Sequence, residues 1–227
     1  MIVSEHSIGT KNESSLHRSL KYSYAGPENT ETARAGYVCD AIGENGEAIE
    51  IQTGNFSSLK KKIPALGKEG KVRLVYPVIA KKTIELYNTR GKLLSRRKSP
   101  KKGMVWDIFD ELIYVPELLG LKSLTIEIIF VDIIERRRTD GKGSWRRKGI
   151  SIEDRILENR QKGIVLRKKA DWKKHFLPLA DECSTKMLAE TANIGTEAAR
   201  KAIYTLRKAG LLKKLRKDGR SWIYRIL

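Results

Sequence analysis

The chain has 227 residues, with 46 Lys and Arg against 27 Asp and Glu, a formal net charge of +19 and an isoelectric point near 9.9. An excess of that size attracts polyanions, and 40% hydrophobic residues in a mixed charge background exclude a disordered chain, while the length allows one large or two modest domains, of which two are expected. No basic-then-apolar leader opens the chain, the longest apolar run (126–134) is interrupted by Glu127 and Asp132, and Cys39 and Cys183 stand alone, so a membrane span is excluded, neither a zinc site nor a disulfide framework is expected, and reduced thiols in the cytoplasm are.

Helical spacing of Leu16, Leu20 and Tyr24 predicts a first helix over 12–24, stopped by Ala25-Gly26-Pro27. A polar stretch, 28–34, leads into a strand over 36–42. The Asn45-Gly46 pair suits a tight hairpin turn, so 48–53 is predicted to return antiparallel beside it. Asn55 is expected to cap a basic helix over 56–66, followed by a buried strand over 71–79. A small hairpin (83–87 and 92–95), a basic loop (96–103), a helix over 105–119 despite Pro116, and a strand over 124–135 come next. A second basic stretch (136–148) precedes strands over 150–157 and 164–167, with a domain boundary near Lys169.

The last 55 or so residues read as a capped helix (185–192), the turn Asn193-Ile194-Gly195, a second helix over 197–209 capped by Thr196, and two strands (211–216 and 221–226) joined across Asp218-Gly219. Helix, turn, helix and two-stranded ribbon in that order resemble the winged helix-turn-helix family. The resemblance implies a second helix in the major groove and a ribbon turn on phosphate, which nominates Thr196, Glu197, Arg200, Lys201, Tyr204, Lys217 and Arg220. Winged helices also serve as protein-docking surfaces.

On the first hairpin, Glu50 and Gln52 share a face while Ile49 and Ile51 point into the core, and Asp40 sits on the partner strand in an otherwise apolar segment. An unpaired carboxylate there is expensive to desolvate, and two carboxylates on adjacent strands repel unless a cation lies between them. An Asp, then Glu-x-Gln on the next strand, a basic helix after it, and a Glu at the first helix resemble the PD-(D/E)xK, or restriction-endonuclease-like, nuclease superfamily. The blocks Glu13-Ser14-Ser15-Leu16-His17-Arg18 and Ile49-Glu50-Ile51-Gln52-Thr53-Gly54-Asn55-Phe56 are similar to a bacterial branch of it.

That resemblance implies an α/β fold, a restriction-endonuclease-like mixed sheet flanked by helices over 1–169, with a small winged-helix domain over 170–227. It implies Mg²⁺ or Mn²⁺ held by Asp40 and Glu50, phosphodiester hydrolysis, and Glu13 as the acidic residue of the first helix, for which Glu28 and Glu31 compete. Gln52 stands where the family usually has Lys; it can hydrogen-bond the attacking water but brings no charge, which Lys60 to Lys62, Arg73 or Arg96 to Lys98 are near enough in sequence to supply. Loss of activity with that change would leave a non-catalytic DNA-binding protein or regulator. Many nucleases of the superfamily pair two active sites, so a homodimer is compatible.

The remaining basic clusters, Arg96, Arg97, Lys98, Lys101, Lys102 and Arg146, Arg147 beside Trp145, are candidates for phosphate contact, with DNA the expected partner and RNA not rejected by charge alone. Trp145 is placed either to stack on an exposed base or to pack under the arginines. His6, His17 and His175 do not cluster in sequence, and no phosphate-cradling glycine loop occurs, so neither a histidine metal site nor ATP chemistry is indicated.

Overall fold

A computed structural model describes residues 13–227; the expected helix start at Asn12, His6 and the leader region lie outside them. Helix α1 (Ser15–Ala25) begins where the Ser14 hydroxyl accepts the His17 amide, and its stripe of Leu16 and Leu20 is buried. Strands β1 (Thr30–Arg34), β2 (Tyr37–Ile42) and β3 (Ala48–Ile51) run antiparallel, with Gly46 at φ 71° in the predicted Asn-Gly turn. The polar stretch read as a lead-in is itself an edge strand, too exposed to carry an apolar signal.

Helix α2 (Leu59–Glu69), with Leu59, Ile63 and Leu66 inward, crosses to β4 (Val72–Tyr87), which lies parallel to β3. Asn55 does not cap it: its backbone is left-handed and its side chain accepts from Ser57 Oγ, so a short 3-10 turn precedes the helix. Strand β4 runs unbroken through the segment read as strand plus hairpin. Its far half pairs with β5 (Leu93–Lys98), so Arg96, Arg97 and Lys98 belong to a strand rather than a loop.

The segment 105–119 is broken into two 3-10 turns around a single turn of helix, α3 (Phe109–Leu112), because Pro116 starts a new turn. Strands β6 (Leu124–Arg138) and β7 (Ser151–Leu166) complete a seven-stranded mixed sheet of order β1-β2-β3-β4-β6-β7, with β5 on β4. The two short strands read over 150–167 are this one strand, kept continuous by bulges. Leu16 and Leu20 of α1 pack on one sheet face with Ile49, Ile51, Val75 and Ile129, while α2 and α3 cover the other.

The chain continues as α4 (Lys169–Phe176), β8 (Glu182–Ser184), α5 (Thr185–Ala192), α6 (Thr196–Lys208), β9 (Leu212–Asp218) and β10 (Ser221–Ile226), the strands forming a sheet of order β8-β10-β9. Gly195, not Thr196, precedes α6, which starts without a side-chain cap. The buried faces of α4 to α6 join the apolar cluster beneath α2 and α3. Phe176 meets Phe109 at 5.0 Å and Trp106 at 5.1 Å between ring centroids. Among the described residues no helix is long and apolar enough to cross a membrane.

Candidate functional site

Asp40 lies near the middle of β2 and Glu50 on the facing strand β3, next to the paired residues Ala41 and Ile49. Asp40 Oδ2 accepts the Ile51 amide at 2.7 Å and contacts His17 Nε2 at 3.2 Å, which leaves Oδ1 without a partner among the described residues. Glu50 is only 2% exposed; its Oε2 accepts from Lys62 Nζ at 2.6 Å, and its Oε1 is buried without a hydrogen-bond partner. Helix α2 supplies that ammonium because Lys62 precedes the inward residue Ile63. Of the cations named from sequence, Lys62 alone reaches the carboxylates by an ion pair, for Arg73 is committed to Glu47 and Glu127 at 2.7 Å each and Arg96 pairs with Glu85.

The two carboxylates sit in different fields. Burial pushes the Asp40 carboxyl up, but the His17 hydrogen bond and charge and the Ile51 amide outweigh it and hold it below its ordinary value. Burial, reinforced by the charge of Asp40 and opposed by Lys62, raises Glu50 to about 7. Each of the pair thus has one oxygen engaged by a cationic side chain and one unclaimed among the described residues.

Helix α1 carries the second layer. Glu13 lies just before its cap and folds back to contact His17 Nδ1 and Lys21 Nζ, each at 2.6 Å, and Lys21 reaches Glu31 at 3.0 Å. Burial pulls the His17 imidazole down, yet Asp40, Glu13 and the Ile51 carbonyl at 3.0 Å raise it to about 9. The N-terminus of α1 is fixed from the sheet: the Ser15 amide and hydroxyl donate to Asp154 on β7 at 2.9 and 2.5 Å.

These groups line an open polar cavity of about 420 Å³ whose walls include Glu13, His17, Lys21, Glu31, Asp40 and Gln52. Three of the four catalytic residues expected from sequence, Glu13, Asp40 and Gln52, line it, while Glu50 lies buried behind Asp40. The Gln52 side-chain amide donates to the Gly54 carbonyl. Of the competing acids, Glu31 joins the network and Glu28 does not. His17 was missed because its partners, Asp40 and Ile51, are far off in sequence; the signal available was its place one turn after Glu13. Among the described residues no three His, Cys, Asp or Glu side chains gather about one point as a closed metal cage.

The basic residues divide. Arg97, Lys98, Lys101 and Lys102 are exposed on and after β5, and Arg146 and Arg147 on the turn between β6 and β7. In the C-terminal unit Thr196, Arg200 and Arg220 line a groove of about 590 Å³ between α5, α6 and β10, with Trp222 and Tyr224. Lys217 lies over the Trp222 ring, and Tyr204 is exposed on α6. Lys201 is engaged inside the protein, with Asp110 of α3 at 2.9 Å and Glu197 at 3.1 Å.

Residues 14–167, from α1 through β7, match the family described as Domain of unknown function (DUF8091). A protein of Treponema pallidum (strain Nichols), described as an uncharacterized protein, is 31% identical over 221 residues, covering 96% of this chain and 87% of that protein. No solved structure matches the chain. The family match takes in all of the cavity residues except Glu13, which immediately precedes it, and on its extent the chain belongs to the DUF8091 family.

Proposed function

We propose that this protein is a divalent-metal-dependent nuclease that hydrolyses phosphodiester bonds in DNA, with a restriction-endonuclease-like fold in its large sheet and a winged helix in its C-terminal unit. The observation that carries the reading is Asp40, on the wall of an open polar cavity with its Oδ1 unclaimed, backed by the buried Glu50, whose Oε1 is unpartnered and whose Oε2 is paired with the Lys62 ammonium. The order α1-β1-β2-β3-α2-β4, with Asp40 on β2, Glu50 on β3 and basic α2 following, supports the fold assignment. The element order of α5, α6, β9 and β10 supports the winged helix.

The donors fit a hard cation. Asp40 Oδ1 and Glu50 Oε1 would hold it, an arrangement suited to Mg²⁺ or Mn²⁺, which take one or two carboxylates and keep several waters. A bound ion supplies a water of lowered pKa and polarises the phosphate. Gln52, on the cavity wall, has the amide to orient a water, and Lys62 brings the charge that Gln52 lacks. His17, clamped by Glu13, keeps a proton on Nε2 toward Asp40 Oδ2 and the Ile51 carbonyl, which fixes the Asp40 carboxylate. Exposed cations of β5 and of the groove at Arg200 and Arg220 suit backbone phosphates.

One observation favours a second reading, a non-catalytic DNA-binding protein: His17 and Lys62 already neutralise much of the carboxylate charge. Calorimetric titration with Mn²⁺ separates the two. The nuclease reading expects uptake by the wild type that is lost in Asp40→Ala and in Glu50→Ala; no uptake by the wild type would leave the second reading standing.

A further inference from the structure

The turn between β6 and β7 presents the most exposed tryptophan of the described residues: Trp145 is 82% exposed, with the Arg146 guanidinium 5.6 Å from its ring centroid. The turn is rigid. Gly143 donates to the Gly149 carbonyl at 2.9 Å, Arg147 to Ser144 at 2.9 Å, Lys148 to Trp145 at 2.9 Å, and the Arg147 side chain to Ile150 at 3.2 Å. A Cβ at Gly143 would stand 1.8 Å from the Ile150 carbonyl oxygen, so the tight approach of the two arms of the turn requires glycine. An indole held out by such a turn keeps its binding geometry at little entropic cost.

Charge indicates what it meets. The arginines at the end of β6 are matched within the protein: Arg136 to Glu85, Arg137 to Glu135 and Arg138 to Glu153. Lys142, Arg146, Arg147 and Lys148 around Trp145 form no ion pair with a described residue. An exposed aromatic face beside cations that no described carboxylate neutralises matches a nucleobase flanked by phosphates. The turn leads into the strand that anchors the helix of the candidate site. Ser151 begins β7, and Asp154, about 10 Å further along that strand, holds the first residue of α1 beside Glu13 and His17.

We infer that Trp145 is a base-stacking element, so that the preferred ligand of this protein is a nucleic acid with an unpaired base, single-stranded or at a junction, over an uninterrupted duplex. The inference rests on the nucleic-acid reading above but not on cleavage.

The test is fluorescence anisotropy, without divalent ions, of labelled single-stranded DNA, blunt duplex and the same duplex carrying one unpaired base, with full-length wild type, Trp145→Ala and Trp145→Phe. The wild type is expected to prefer the two ligands with unpaired bases. Trp145→Ala should lose about tenfold or more on those two, the effect of removing one stacked base, and keep its duplex affinity, while Trp145→Phe keeps most of both. Equal losses on all three ligands, or none, would overturn the stacking role while leaving nucleic-acid binding intact. Absence of binding to any oligonucleotide, with Trp145-dependent binding to vesicles of anionic phospholipid instead, would overturn both readings.

Discussion

His17 on α1 bridges two carboxylates of different elements, with Nδ1 2.6 Å from Glu13 and Nε2 3.2 Å from Asp40. The helix is thereby latched to the strand that carries the proposed metal ligand, and the latch depends on a proton.

With a folded value of about 9 against 6.5 for the free side chain, the His17 contribution to stability is fully present below pH 6.5 and is lost as pH rises through 9. It amounts to at most about 3 kcal/mol. Thermal unfolding in EDTA should therefore fall more steeply between pH 6.5 and 9.5 for wild type than for His17→Gln. Glu50 also titrates in this range, and the comparison with the variant removes its share. Parallel profiles would contradict the latch.

Removing Lys62 leaves a buried carboxylate unpaired. Lys62→Met should cost about 3 kcal/mol at pH 8, in the range for breaking a buried pair from one side. The loss should shrink at pH 5.5, where Glu50, raised to about 7, takes up a proton. Urea unfolding at the two pH values reads the difference; a loss independent of pH would mean that Lys62 acts through packing alone.

The Asp154 carboxylate accepts both hydrogen bonds from Ser15. Asp154→Ala should destabilise by about 1–3 kcal/mol and shift the His17 ring resonances in NMR spectra, because the start of α1 sets Glu13 and His17. Unchanged His17 resonances would show that α1 is placed by its apolar stripe alone.

Much of this architecture was legible in the sequence. The Asn45-Gly46 turn, the apolar stripe of α1 and the Asp218-Gly219 ribbon rest on local rules, and the structure has them where those rules put them. Strand β1 was hidden because an edge strand of Thr, Glu and Arg has no buried face, and β4 and β7 were cut short because polar residues in their outer halves are neutralised by cross-strand partners such as Glu135 with Arg155. At the site, Asp40, Glu50 and Gln52 were singled out by their places on the hairpin strands, and Glu13 by the family resemblance. His17 and the choice of Lys62 among several cations depend on contacts between distant segments, which spacing does not encode.

Residues of α3, α4 and α6 share one apolar cluster with the sheet. The protein is accordingly expected to unfold in a single calorimetric transition, and Phe176→Ala, which empties the space between Phe109, Trp106 and Trp172, to lower the whole of it by about 3–5 kcal/mol. Two separate transitions, with only one moved by the substitution, would refute the shared core.

The most direct measurement is cleavage of end-labelled single-stranded, duplex and branched DNA, with RNA alongside, in Mg²⁺ or Mn²⁺, by wild type, Asp40→Ala and Glu50→Ala. Metal-dependent cutting of DNA by the wild type, abolished by either substitution, is the predicted result. Binding without cutting of any substrate in either metal would contradict the nuclease assignment.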